Sequence, residues 1–195
     1  QSPVGSTSYL LPGLELVRGT FWVKDGRFFC EGVFPTGVPL DTVYTGNGYY
    51  APLLNSSRFS AQIKGETTNL GVTAPTLPFN STPFSSQDTT GPEINFYYVG
   101  RRLSDSTVVP ADLQLEIFVR DQSGIFIAPI PGKAPYLYLN TPLAPVEFSD
   151  RLVFDDSSYT TARARIQLNL SGPVDTLFVV VRDNFLNRTT TKLLL

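Results

Sequence analysis

The chain has 195 residues, a formal net charge of −2 and only 16% charged residues, while Gly, Pro, Phe and Tyr are plentiful. That composition folds through turns and β-favouring side chains, carries no basic footprint for nucleic acid, and holds no apolar run long enough to cross a bilayer as a helix. No His occurs anywhere, which removes the Ser-His-Asp and Cys-His mechanisms and the zinc sites built on imidazole but leaves a Ser-Lys arrangement open.

After a polar lead over residues 1–12, residues 15–24 and 27–34 read as two strands joined by Asp25-Gly26, a dipeptide suited to a two-residue type I′ hairpin. That register places Phe21, Val23, Phe28 and Cys30 on one face, and Trp22 with Phe29 on the other among polar neighbours. The aromatic pair is a candidate contact surface for a partner or a sugar; a second buried layer is the plainer reading. Cys30 is the only cysteine, so no intramolecular disulfide can form, and its inward strand position lacks a base to activate it.

Residues 42–52, with Tyr44, Tyr49 and Tyr50 around Gly46-Asn47-Gly48, read as two strand ends and a tight turn, and residues 58–64 as a half-buried strand with Phe59, Ala61 and Ile63 inward. Residues 71–87 carry Pro75, Pro78 and Pro83 and are expected to form an extended connecting arm, whose Leu77, Phe79 and Phe84 are unusual for a solvated linker and mark it as a contact element. Asp88-Thr-Thr-Gly-Pro-Glu-Ile94 then hands the chain to a region of short strands: 93–99, 113–120, 125–127, 136–139, 152–154, 160–170, 177–182 and 189–195. Alternation puts Leu113, Leu115, Ile117 and Val119 inward, with Ala162, Ala164, Ile166 and Leu168, and turns Arg163 and Arg165 to solvent. Val119-Arg120-Asp121 and Val181-Arg182-Asp183 close two strands in the same way. The expected fold is therefore all-β, two immunoglobulin-like antiparallel β-sandwich domains, with residues 1–70 as an N-terminal domain, 71–87 as the arm and 88–195 as a C-terminal sandwich.

Four segments of the second half carry a family likeness: Asp88–Ile94, Arg120-Asp-Gln-Ser-Gly-Ile125, Phe154-Asp-Asp-Ser-Ser-Tyr-Thr160, and residues 177–187 with their Val-Arg-Asp-Asn-x-x-Asn ending. In this order they resemble the C-terminal immunoglobulin-like region of gingipain-like cysteine peptidases, including the PorU-type sortase of bacterial type IX secretion. The resemblance implies a β module of the bacterial envelope without catalysis, since the peptidase domain of such proteins lies upstream and its His and Cys have no counterpart here.

Asp121 and Asp183 each end a strand, and Asp155 and Asp156 stand in another loop, so oxygen ligands can gather into a calcium site at one end of the sandwich. Local turn capping by the Asp side chains is the competing reading. No catalytic residue and no other cofactor is expected. The chain opens at Gln1 without an initiator Met, which favours an exported protein of the extracellular space or outer cell surface. The expected function is a non-catalytic structural or assembly protein that contacts protein partners or other copies of itself, forming a surface fibre or layer. The alternatives are an accessory module of a gingipain-like peptidase or type IX sortase, and a carbohydrate-binding adhesin that reads surface glycans.

Overall fold

The computed structural model describes residues 18, 33, 35, 42–45, 49–52, 59–64, 69–74, 88–156, 158–172 and 174–195. The expected hairpin at Asp25-Gly26 and the contact residues Trp22, Phe29, Leu77, Phe79 and Phe84 lie outside them. The chain divides into two compact units, residues 1–14 with 39–81 and residues 15–38 with 82–195.

The described residues of the first unit form two hairpins. β1 (Thr42–Thr45) pairs antiparallel with β2 (Tyr49–Pro52), from Thr42 opposite Pro52 to Thr45 opposite Tyr49, leaving the Gly-Asn-Gly segment as the connection. β3 (Phe59–Lys64) pairs with β4 (Asn69–Ala74) in the same manner. The segment expected to be a connecting arm thus begins inside a strand: residues 71–74, with β-branched Val72 and Thr73, join the ladder, and Pro75, which has no N–H to donate, follows its last residue.

The described residues of the second unit form an antiparallel sandwich of nine strands: β5 (Glu93–Tyr98), β6 (Arg101–Arg102), β7 (Asp112–Arg120), β8 (Tyr136–Leu139), β9 (Val146–Glu147), β10 (Val153–Phe154), β11 (Thr161–Asn169), β12 (Thr176–Arg182) and β13 (Arg188–Leu194). One sheet has the order β10-β11-β7-β5-β6 and the other β13-β12-β8-β9. This division, with β5, β7, β11 and β10 as neighbours in one sheet and β8, β12 and β13 in the other, is the immunoglobulin-like arrangement. A single turn of 3-10 helix, Ser149–Arg151, precedes β10.

The core forms where the alternation said it would. Leu113, Leu115, Ile117 and Val119 of β7 are fully buried, and Ala162, Ala164, Ile166 and Leu168 of β11 are at most 5% exposed. Across from them lie Leu137, Leu177, Val179 and Val181 of the second sheet. The opposite face of β11 is solvated and paired: Arg163 and Arg165 both reach Glu116, at 3.1 and 3.3 Å, and Arg163 also covers the Phe118 ring.

Residues 125–127, expected as a strand, make a single bridge among the described residues, from Ile125 to Asp183. The reason is an excursion over residues 128–135, rich in proline, that leaves the ladder and rejoins it as β8. The excursion returns to the outer face of the second sheet, where Arg182 Nη1 donates to Lys133 O at 3.3 Å. On that face Tyr138 stacks on Phe178 with ring centres 4.9 Å apart.

Two residues from before the expected boundary at 88 are bound to this sandwich. Arg18 Nη1 donates to Ser149 O and Leu152 O at 3.2 and 3.1 Å, and Val33 O accepts from Asn184 Nδ2 at 2.9 Å. The stretch that holds Arg18 and Val33 therefore belongs with the C-terminal unit, in contrast to a division that ends one domain at residue 70.

Candidate functional site

Where β7 and β12 end, both chains turn at an aspartate. Asp121 Oδ1 accepts the Ser123 N–H at 2.7 Å, and Asp183 Oδ1 accepts the Phe185 N–H at 2.9 Å, so each carboxylate closes a turn over the residue two positions on. A third aspartate does the same where the chain enters the sandwich: Asp88 Oδ1 accepts the N–H and the hydroxyl of Thr90 at 2.9 and 2.8 Å. The ends of β7 and β12 and the lead into β5 meet at the same end of the sandwich, and oxygens of Asp88, Asp121 and Asp183 all fall within 4.8 Å of one another.

Side chains lace the three turns together. Ser123 Oγ donates to Asp88 Oδ2. Asn187 Nδ2 donates both to Asp183 Oδ2 at 2.7 Å and to Asp88 O at 2.9 Å, while the Asn187 N–H goes to Asp183 Oδ1 at 2.7 Å. Asn184 Nδ2 bridges Ser123 O and Val33 O at 3.0 and 2.9 Å. Gly91 lets the strand that follows Asp88 approach β13 closely, since a Cβ there would stand 2.5 Å from Thr189 Oγ1 and 2.9 Å from the Arg188 carbonyl carbon.

Burial separates the three carboxylates. Asp183 is fully buried and Asp121 only 7% exposed. Burial pushes the Asp121 carboxyl up to about 6, with the charges of Asp183 and Asp88 adding to the effect against the Ser123 N–H. Burial also raises Asp183, opposed by its bonds from Asn187 and Phe185. Asp88 moves the other way, held down by the Ser123 hydroxyl and the two Thr90 donors.

Of the four aspartates expected to gather, the structure brings Asp121 and Asp183 together and adds Asp88. Asp155 and Asp156 do not join them. Asp155 follows β10 and faces Arg163 at 3.4 Å, across a strand pair from the cluster, and Asp156 is exposed. As a set, the three clustered carboxylates offer hard oxygen ligands of the kind a divalent cation takes. In the geometry present they act as acceptors for Thr90, Ser123, Phe185 and Asn187, the capping role that was the competing reading.

Sequence reasoning missed Asp88, Ser123 and Asn187 as members of this cluster. Their signals were Asp88-Thr-Thr-Gly, Asp121-Gln-Ser-Gly and Asp183-Asn-x-x-Asn, each a turn-capping pattern whose partners lie far apart in the chain. No protein-family model, curated protein or solved structure matches the chain.

Proposed function

We propose that the chain is a non-catalytic β-sandwich protein of the extracellular space or outer cell surface, a structural subunit that associates with other copies of itself. The observation that carries this reading is a set of exposed aliphatic side chains on four loops: Val99 at 81%, Val108 at 96%, Leu143 at 89% and Val174 at 65%. The ladders set these loops at one end of the sandwich. Asp112 at the start of β7 pairs with Asn169 at the end of β11, and Leu139 at the end of β8 pairs with Leu177 near the start of β12. Backbone bonds tie them, Asn140 N to Thr176 O at 2.7 Å and Leu170 N to Ala111 O at 2.7 Å. Single exposed aliphatics need no explanation, but four gathered on one loop end suit a protein contact. The opposite end, by contrast, uses its carboxylates in turn capping.

Sedimentation velocity and electron microscopy of the purified chain test the proposal. Concentration-dependent association is expected, and it is expected to weaken in a Val108→Asp/Leu143→Asp variant whose melting temperature is unchanged. A chain that stays monomeric at roughly millimolar concentration overturns it.

A second reading, an accessory β module of a gingipain-like peptidase or type IX sortase, draws support from a different observation. All four segments that carry the family likeness meet at the carboxylate end: Asp88, Asp121 and Asp183 cluster there, and the Asp121 N–H donates to Thr160 O at 2.8 Å. An intact mass of the native protein extending before Gln1 by a peptidase domain is the result that decides for it.

A further inference from the structure

The two sheets meet at β5 and β13, an edge pair that is only partly covered. Among the described residues, β6 takes the outer edge of β5 at Tyr97 and Tyr98 and no strand pairs with the side of residues 93–96 that faces away from β7, while β13 ends its sheet. Both ends of this seam are shut. At one end Gly91 lies against Arg188 and Thr189. At the other the Leu194 N–H goes to Asp105 Oδ1 at 3.0 Å and Leu194 O accepts from Ser106 N at 2.9 Å. Between the closures runs a groove of about 480 Å³ with Ile94, Phe96, Leu103 and Leu193 as its apolar lining and Arg102, Asp105 and Lys192 as its charged one; Arg102 is bound to Asn95 and Asp105 to the Leu194 N–H, which leaves Lys192 as the charge without a bonded partner among the described residues.

Alternation decides which backbone groups face the groove. Leu194 spends its N–H and C=O outside the sheet, so Thr190 and Lys192, at the same parity, also turn theirs away from β12. On the other bank Phe96 O accepts from Leu103 N at 2.8 Å on the side away from β7, so Ile94 presents its groups to the same side. Such a short open edge over an apolar floor is what an added strand requires.

The charge on the bank selects the occupant. Arg188, Thr190 and Lys192 are exposed on one face of β13, and Lys192 has no ion pair among the described residues. Antiparallel pairing of β13 with its own copy, centred on Thr190, sets Arg188 against Lys192 in both directions, where like charges destabilise a ladder, and centred on Thr191 it sets Lys192 against Thr190 with no counter-charge. A strand from another protein carrying an acidic residue escapes that repulsion.

We propose that the seam between β5 and β13 is a strand-addition site for an extended peptide of a different protein, read as acidic, apolar, β-branched and running antiparallel to β13. The acidic residue lies opposite Lys192, the apolar one opposite Thr191 and over Ile94, Phe96 and Leu193, and the β-branched one opposite Thr190. Three residues fill the open length, because Gly91 and Asp105 close it on either side. This surface is separate from the loop end that carries Val108 and Leu143.

The test is a titration of isotope-labelled chain, followed by amide NMR, with a blocked peptide of sequence Ser-Glu-Val-Thr-Ser and with the same peptide carrying Lys for Glu. Shifts are expected at the amides of Ile94, Thr190 and Lys192, with the Lys peptide binding at least ~10-fold more weakly, and Lys192→Glu is expected to reverse the preference. Lys192 is exposed, so this variant is expected to fold as the parent does. No shifts at roughly millimolar peptide, equal binding of the two peptides, or a preference that survives Lys192→Glu each overturn the proposal. Because the Val108→Asp/Leu143→Asp variant keeps this groove intact, peptide binding by a chain that never self-associates leaves the seam standing and removes only the self-association reading.

Discussion

The turn after β7 and the turn after β12 start from the same three residues and end up in different states. Val119-Arg120-Asp121 and Val181-Arg182-Asp183 both deliver an aspartate that caps its own turn, and the fourth residue of each turn, Gly124 or Leu186, donates its N–H to the aspartate carbonyl at 3.2 or 3.0 Å. Both fourth residues have positive φ, +86° at Gly124 and +69° at Leu186. The difference lies in what else holds each turn. Asp183 is bound three times over by the backbone of Phe185 and by both nitrogens of Asn187, whereas Asp121 has the Ser123 N–H and a desolvated charge. A turn with that many bonds tolerates a leucine in a left-handed position; the other uses a glycine.

The largest effect is expected at the better-tied turn. Asp183→Ala strands two backbone donors and the Asn187 amide beside a buried site, which costs about 3–4 kcal/mol, whereas Asp121→Ala loses one acceptor and costs about 1 kcal/mol. Urea unfolding of the two variants measures both, and equal losses would remove the asymmetry. Next comes Gly124→Ala. Its Cβ would meet Asn184 Nδ2 at 2.6 Å and the Tyr159 ring at 2.9 Å in a backbone conformation that already disfavours a side chain, for about 2 kcal/mol.

Charge gives the next contrast, on the order of 2 kcal/mol. A carboxyl raised from 3.8 to about 6 binds its proton more tightly in the folded state, so the Asp121 contribution is present below pH 3.8 and is lost as pH rises through about 6. Asp183 shares that sign, while Asp88 and Asp175 have lowered values and lose their contribution as pH falls below 3.8. The melting temperature is therefore expected to rise from pH 7 to pH 5 and to fall below pH 4. Asp121→Asn keeps the acceptor for Ser123 and removes the charge, so it is expected to flatten the upper limb and to be neutral or stabilising at pH 7. Destabilisation by Asp121→Asn that appears only with calcium present would instead mark the cluster as a cation site.

Most of the sandwich could be read from the sequence because its strands are half-buried, and a half-buried strand writes its burial as alternation. β7 and β11 show it residue by residue, from Leu113 to Val119 and from Ala162 to Leu168. Register across the chain could not be read, because nothing local says that Asp88 will meet Asn187. The repeated Val-Arg-Asp was visible, yet the repeat identifies a kind of strand ending and does not say that the two endings converge. Asp155 and Asp156 stand outside the cluster: Asp155 is held by Arg163, on the neighbouring strand, a partner that only the pairing of β10 with β11 reveals, and Asp156 is exposed. The excursion over 128–135 was hidden for a similar reason, since residues 125–127 and 136–139 each read as strands and only the sheet shows one to be a bridge.

The smallest effect is the most specific to the comparison. If the Asp183 turn holds Leu186 in the left-handed region against its preference, the side chain costs about 1 kcal/mol in backbone strain, and that cost can be separated from its packing by two variants rather than one. Leu186→Ala and Leu186→Gly both lose the half-buried contacts beyond Cβ, but only glycine, which lacks Cβ as well, also releases the strain. The glycine variant is offset in part by the greater freedom of its unfolded chain, which leaves it about 0.5 kcal/mol more stable than the alanine variant. At position 124 the order is expected to be the opposite of what helix or strand propensity gives, glycine well above alanine, for the same reason and with an added clash. An alanine variant at 186 as stable as the glycine variant in thermal melts would mean that the turn imposes no strain, and that the hydrogen bonds of Asp183 select the conformation without opposing the side chain.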